Sequence, residues 1–311
     1  MTGDGARVIC LMGPTAAGKT DLAVELVERL PLDIVSVDSA MVYRGMDIGT
    51  AKPDAAVLAR APHRLIDVCD PGDPYSAARF RADALREIAE ILGKGRVPLL
   101  VGGTGLYFRA LESGLSDLPA ADRAVRARLA AEAMLFGWDH LHRRLAAVDP
   151  LAAARIHRND PQRIQRALEV WELTGRPISD LQSTPGDALP YGLVRLVRAP
   201  VERDVLRERI ARRFHAMLAA GFEAEVQRLL DRGDLAPALP SLRSVGYRQM
   251  VAHLLGEYDR ATMATRAIQA TAQYAKRQMT WLRAVEGATW LPDGSSAALD
   301  AALKIVARIA T

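Results

Sequence analysis

A chain of 311 residues, half of them apolar and a quarter charged, has the composition of a folded protein of roughly two domains, not of a disordered or fibrous one. Its two cysteines, Cys10 and Cys69, form no CxxC pair, which excludes a disulfide framework and a structural zinc site. The net charge is +4, five of the 41 basic residues are lysine, and no apolar run is long enough to span a membrane, so a cytoplasmic protein without a secretory signal is expected.

The run Val8–Met12 predicts a short buried strand, followed by a glycine-rich turn and a helix over Thr20–Leu30. Ile34–Val37 predicts a second strand ending at Asp38. Ala77–Leu92 reads as a helix, and Val97–Val101 as a third strand ending at Gly102-Gly103-Thr104. Strands alternating with helices predict an α/β fold whose parallel sheet binds ligands at the carboxyl ends of its strands. Gly13–Thr20, Asp38–Ser39 and Gly102–Thr104 are thereby directed to one crevice.

From Leu118 to Leu189 the pattern is helical. Asn159-Asp160-Pro161 is a helix start, Ile164, Leu168 and Trp171 recur at helical spacing, and Gly175 is a stop. The loop Ser183-Thr184-Pro185-Gly186-Asp187 marks a boundary. A strand over Leu193–Val197 then resumes the α/β pattern, and long helices are predicted to the end, among them Thr262–Arg283.

Gly13, Pro14, Thr15, Ala16, Ala17, Gly18, Lys19 and Thr20 match G-x-x-x-x-G-K-[ST] between a strand and a helix. In such a loop the amides cradle phosphate oxygens, Lys19 neutralises them, and the Thr20 hydroxyl can hold Mg²⁺. A diphosphate or triphosphate is therefore the expected ligand. Asp38 is the carboxylate at a strand end facing this loop, and three tasks suit it: metal ligand, base, or cap of the following turn. The expected organisation is a P-loop-type parallel sheet core flanked by helices, residues 1–117 and 190–311, with an all-helical insertion domain, residues 118–189.

The basic charge is concentrated. Arg155–Arg176, Arg203–Arg213 and Arg243–Arg283 carry +2, +3 and +5, more than the whole chain's +4, so the remainder is acidic. On the predicted helix Thr262–Arg283, residues Arg266, Gln269, Gln273, Lys276 or Arg277, Thr280 and Arg283 recur at three- and four-residue steps without an acid. Gln162, Arg163 and Arg166 occupy the first turns of the helix that starts at Pro161, where amides also favour phosphate. Each stripe alone fits a solvated helix face; two of them beside a phosphate loop point to nucleic acid.

Several longer runs carry a resemblance. They are Gly13–Thr20, Ser36–Pro53, Ala61-Pro-His-Arg64, Val101-Gly-Gly-Thr-Gly-Leu-Tyr107 and Asn159–Ala167, followed by Gly221-Phe-Glu-Ala-Glu-Val226, Ser244-Val-Gly-Tyr-Arg-Gln249 and Ala275–Arg283. Together, in this order and over nearly the whole chain, they resemble the bacterial tRNA dimethylallyltransferases, also called tRNA isopentenyltransferases. The resemblance implies transfer of a dimethylallyl group from its diphosphate to N6 of the adenine at tRNA position 37, next to the anticodon. It makes the loop a prenyl diphosphate site with Mg²⁺ at Thr20, and gives catalytic tasks to Asp38, Thr104, Lys19 and Arg213. Asp38 would accept the proton of N6, with Thr104 opposite.

The resemblance also assigns segments that contact tRNA. These are Asp38, Ser39, Ala40, Met41 and Thr104, then Arg126, Gln162, Arg163, Ile164, Gln165 and Arg166. Further along they are Arg243, Ser244, Val245, Gly246, Tyr247 and Arg248, and finally Lys276, Arg277, Gln278, Met279, Thr280, Trp281, Leu282 and Arg283. The helical insertion would close on the anticodon stem-loop, and a cytoplasmic monomer is expected. Two rivals remain from the residues themselves: a P-loop small-molecule kinase using ATP, and a non-catalytic RNA-binding protein with a vestigial nucleotide site.

Overall fold

The structure, a computed structural model, describes Gly5, residues 7–183 and residues 186–310. In chain order the first unit contains β1 (Arg7–Met12), α1 (Lys19–Val27), β2 (Leu32–Val37), α2 (Ala55–Arg60), β3 (His63–Arg64), α3 (Ala77–Gly93) and β4 (Val97–Gly102), and α4 (Gly105–Ser113) leads out of it. Then come α5 (Arg123–Phe136), α6 (Trp138–Val148), α7 (Pro150–Arg155), α8 (Pro161–Thr174) and α9 (Ile178–Gln182). The sheet resumes with β5 (Gly192–Val197), followed by α10 (Arg203–Ala219), α11 (Phe222–Asp231), α12 (Tyr247–Leu254), α13 (Arg260–Arg283), β6 (Ala288–Trp290) and α14 (Ser295–Ala310).

The six strands form one sheet in the order β3-β2-β4-β1-β5-β6, every pair parallel. Five of the six residues of β1 and of β4 are buried, as continuous apolar runs in a parallel sheet require. Leu22, Val24 and Leu26 of α1 and Ala298, Ala302 and Val306 of α14 share one core with Ile9, Leu11, Ile34, Leu99 and Leu196. On α3, Phe80, Ala84, Ile88 and Ile91 are fully buried, and this helix packs on β2 and β4. The predicted strands are all present; the edge strands β3 and β6 were not foreseen. β6 lies where only long helices were expected, and pairs through Val197 with Trp290.

Register fixes the crevice. Met12 pairs with both Gly102 and Val197, and Val37 with Gly102, so the residues that follow, Gly13, Asp38, Gly103 and Arg198, leave the sheet in one row.

The chain divides into two compact units, residues up to Leu111 with Pro190 onward, and Glu112–Leu189. The helical unit begins at Glu112 rather than Leu118 because its ends are tied together: Leu189 N donates to Glu112 O at 3.0 Å, and Gly114 packs on the backbone of Gly186 and Asp187. Thr184 and Pro185 of the expected boundary loop lie outside the described residues. Leu129, Leu141, Leu145, Ile164 and Leu168 form the core of the unit. Its helix α8 starts as predicted, with Asp160 accepting from Arg163 N at 3.2 Å and Pro161 in the first turn, and it ends at Gly175 with φ 67°.

Candidate active site

The loop after β1 wraps the start of α1. Gly18 takes φ 76° as the helix cap, a conformation glycine reaches without steric cost. The Lys19 ammonium turns back to donate to Pro14 O at 2.8 Å. Desolvation in the site and, next, the charge of Arg213 together lower its pKa to about 8, with Asp38 opposing both. Thr20 and Asp21 line the same cavity, which has a volume of about 930 Å³. Hard oxygen donors next to a phosphate loop suit Mg²⁺, which binds through one or two protein groups and takes its other ligands from substrate and water.

Asp38 does cap its own turn: Oδ1 accepts from Ala40 N at 2.8 Å and from Met41 N at 3.2 Å. Among the described residues no hydrogen bond to Oδ2 is present, so one oxygen is spent on the turn, and Asp38 lines the cavity. Thr104 stands across from it, its Oγ1 accepting from Ser39 N at 3.2 Å and thereby joining the ends of β2 and β4. Tyr274 of α13 lies beside the same Thr104 hydroxyl; burial, with Asp38 nearby, pushes its phenol up to about 12. Arg213 on α10 donates through Nη2 to Thr50 O at 3.3 Å, and burial lowers its pKa while Asp38 and Asp21 counter.

Several site residues were not foreseen. Arg198, 5% exposed, follows β5 in the row of strand ends and is anchored to Pro292 O at 2.8 Å. Arg209 and Arg212 line the cavity with Arg213, at helical steps of three and four. The basic run Arg203–Arg213 was the visible signal, but only Arg213 was singled out from it.

Gln278 has a structural task that its place in the assigned run did not suggest. It is 7% exposed, with Oε1 accepting from Thr15 N at 2.9 Å and Nε2 donating to Gly103 O at 3.0 Å. It braces the phosphate loop against the end of β4, where it also lines the cavity. A Cβ at Gly103 would sit 2.4 Å from that Nε2, so glycine is required for the brace to close. Leu282, Tyr247 and Ile164 are also fully buried, and Gly246 is buried. Gly246 and Tyr247 nevertheless line a cavity beside the site. Trp281, half-buried, stacks on Phe108 with ring centroids 5.7 Å apart.

Other assigned residues are at the surface. Arg266, Gln269, Gln273, Lys276, Arg277, Thr280 and Arg283 are all exposed, and Met279 is half-buried. So are Arg243 and Arg248 exposed, and Ser244 and Val245 partly so. In the helical unit Gln162 and Arg163 are exposed, while Arg126 and Arg166 converge on Glu169, which is 0% exposed, at 2.7 and 2.6 Å. Gln165 bonds Arg126 O at 3.0 Å.

A second cavity, of about 450 Å³, is lined by Ser39, Ala40, Arg243, Ser244, Val245 and Arg277. It shares Thr15, Ala16, Asp38, Thr50, Arg213 and Tyr274 with the first. A cationic, oxygen-gripping cavity and a second one walled by separate surface segments therefore meet at one carboxylate. Such a junction can bring a polyanionic donor and a nucleophile from elsewhere to the same point.

Known proteins resemble this chain in sequence and fold. The IPP transferase family matches residues 41–285. The chain is 64% identical over 280 residues to a tRNA dimethylallyltransferase of Thioalkalivibrio sulfidiphilus, covering 90% of this chain and 88% of that protein. It is 64% identical over 285 residues to the tRNA dimethylallyltransferase of Alkalilimnicola ehrlichii, covering 91% and 90%. The crystal structure of the full-length tRNA isopentenylpyrophosphate transferase from Bacillus halodurans is similar at TM-score 0.71 and 38% identity, over 97% of this chain and 96% of that one. A eukaryotic dimethylallyltransferase acting on tRNA shares the fold, with TM-score 0.80 and 24% identity over 97% of this chain and 78% of that one. With the fold and most of the sequence in agreement, the chain belongs to the IPP transferase family of prenyltransferases.

Proposed function

We propose that this chain transfers a dimethylallyl group from dimethylallyl diphosphate to N6 of the adenine at tRNA position 37, releasing diphosphate. The observation that carries this reading is the sharing of Asp38 and Arg213 by the two cavities. The loop amides, Lys19 and Arg213 take the diphosphate, and their charge is most useful as the C1–O bond breaks and negative charge grows on the leaving group. The adenine N6 attacks C1 from the side of the second cavity, forming the N–C bond, and its proton passes to the free oxygen of Asp38. Thr104, held by Ser39 N with Tyr274 beside it, borders the attacking amine. The target base leaves the anticodon stack to reach this point. Mg²⁺, when bound at Thr20, adds positive charge to the departing diphosphate.

In this reading tRNA lies on the exposed cations. Arg243 and Arg277 border the second cavity, Lys276 continues the acid-free face of α13, and the helical unit binds the anticodon stem-loop through Gln162 and Arg163. The enzyme works as a cytoplasmic monomer; no helix among the described residues is long and apolar enough to cross a membrane. Arg163→Ala and Lys276→Ala are each expected to weaken tRNA binding. Each should also shrink the slope of log K against log salt by about 0.7–0.9 for one lost phosphate contact. An unchanged slope would return that residue to plain solvated surface.

The kinase alternative is separated by ATP. Nothing in the loop reads adenine, so ATP is expected to compete weakly and stay intact. Enzyme, Mg²⁺, tRNA and dimethylallyl diphosphate should yield prenylated adenosine, seen by mass analysis of tRNA nucleosides, equally with and without ATP. Prenylation that needs ATP, or tRNA-stimulated phosphate release at a comparable rate, would sink the reading.

A further inference from the structure

The run Gly221–Val226 gave Glu225 no task, yet this side chain on α11 is buried, 2% exposed. Its carboxylate accepts four hydrogen bonds. Oε2 takes Asp47 N at 2.9 Å and Ile48 N at 2.7 Å, and Oε1 takes Gly49 N at 3.0 Å and the Tyr247 hydroxyl at 2.6 Å. Three consecutive amides turned onto one anion form a nest, and both oxygens are saturated. A buried charge is weak evidence for stability, because apolar packing of the same volume often does as well. What this one fixes is the path of a segment.

That segment leads to the site. A Cβ at Gly49 would lie 2.1 Å from Phe222 and 2.6 Å from Tyr247, so the chain here is pressed against both rings. Thr50 follows, its hydroxyl closing the turn on Met46 O at 2.7 Å and Asp47 O at 3.1 Å. The carbonyl of Thr50 accepts from Arg213 and is, among the described residues, the one hydrogen-bond partner of that guanidinium; Arg213 Nε is buried without any.

We propose that Glu225 is a positioning residue: by fixing residues 47–50 it places the Thr50 carbonyl that aims Arg213 at the diphosphate. This rests on the reading of Arg213 given above. Glu225→Gln keeps the size but sets an N–H donor against a group that already donates. The test is a double-variant cycle in the full chain, with inorganic pyrophosphate and Mg²⁺ titrated calorimetrically. Glu225→Gln should weaken pyrophosphate binding about tenfold and leave the KM for tRNA unchanged. In the Arg213→Ala background the same change should have no further effect, since the two act as one unit.

An equal loss in both backgrounds, or no loss in either, would overturn the proposal while leaving the task of Arg213 intact. Normal pyrophosphate binding by Arg213→Ala alone would overturn the reading beneath it, and the proposal with it. Should Glu225→Gln not fold, Tyr247→Phe removes one of the four bonds and is read in the same cycle, with an expected loss of about threefold.

Discussion

Replacing Asp38 by alanine is expected to slow prenyl transfer about 10²–10⁴-fold, the range over which a positioned base contributes. Single-turnover rates at saturating substrates measure this, and the affinities for tRNA and pyrophosphate should change far less. The geometry supplies a sharper version. Because Oδ1 caps the turn through Ala40 N and Met41 N, Asp38→Ala removes two functions at once. Asp38→Asn separates them, since the amide oxygen can still accept from both N–H groups while the side chain no longer takes a proton. Asn should therefore be nearly as slow as Ala. A rate within threefold of the unaltered enzyme would assign Asp38 to the turn alone.

Lys19→Ala is expected to cost about 10²–10³-fold in the rate of transfer, because it removes a charge aimed at the leaving group in a desolvated site. With a pKa near 8 the ammonium is about nine-tenths protonated at pH 7, so the cation is present when needed. Its bond to Pro14 O orients it without neutralising it. The loss should appear in inhibition by pyrophosphate as well as in turnover, while tRNA affinity is kept. Pyrophosphate inhibition unaltered by the substitution would remove Lys19 from the diphosphate site.

How much of this could be read beforehand follows from the range of the interactions. β1, β2 and β4 were legible as apolar runs, since strands buried on both faces need little else to identify them, and β5 was legible from its apolar residues on either side of Arg195. β3, two residues long, and β6, with an exposed Thr289 and Trp290, carry no such run; they are strands only because a neighbour supplies the hydrogen bonds. The loop and Asp38 were legible because local spacing defines them. Arg198 and Glu225 were not, because their partners are far away in sequence: Glu225 is 178 residues from Asp47. Gln278 had an available signal. It falls with Met263, Ala267, Ala275 and Leu282 on the buried side of α13, and a polar group there must find partners inside.

That two-sidedness of α13 limits how its gene can vary. One side of this 24-residue helix turns Tyr274 and Gln278 inward, and the other turns Arg266, Gln273 and Lys276 outward. A substitution on the outer side loses no more than that residue's own contact. A single-residue insertion between Arg266 and Gln278 loses more, because it rotates everything beyond it by about 100° and advances it by about 1.5 Å. Cations would turn toward the phosphate loop and the brace would turn toward water. Along this stretch the length of the helix is therefore under tighter constraint than the identity of any one residue on its outer side.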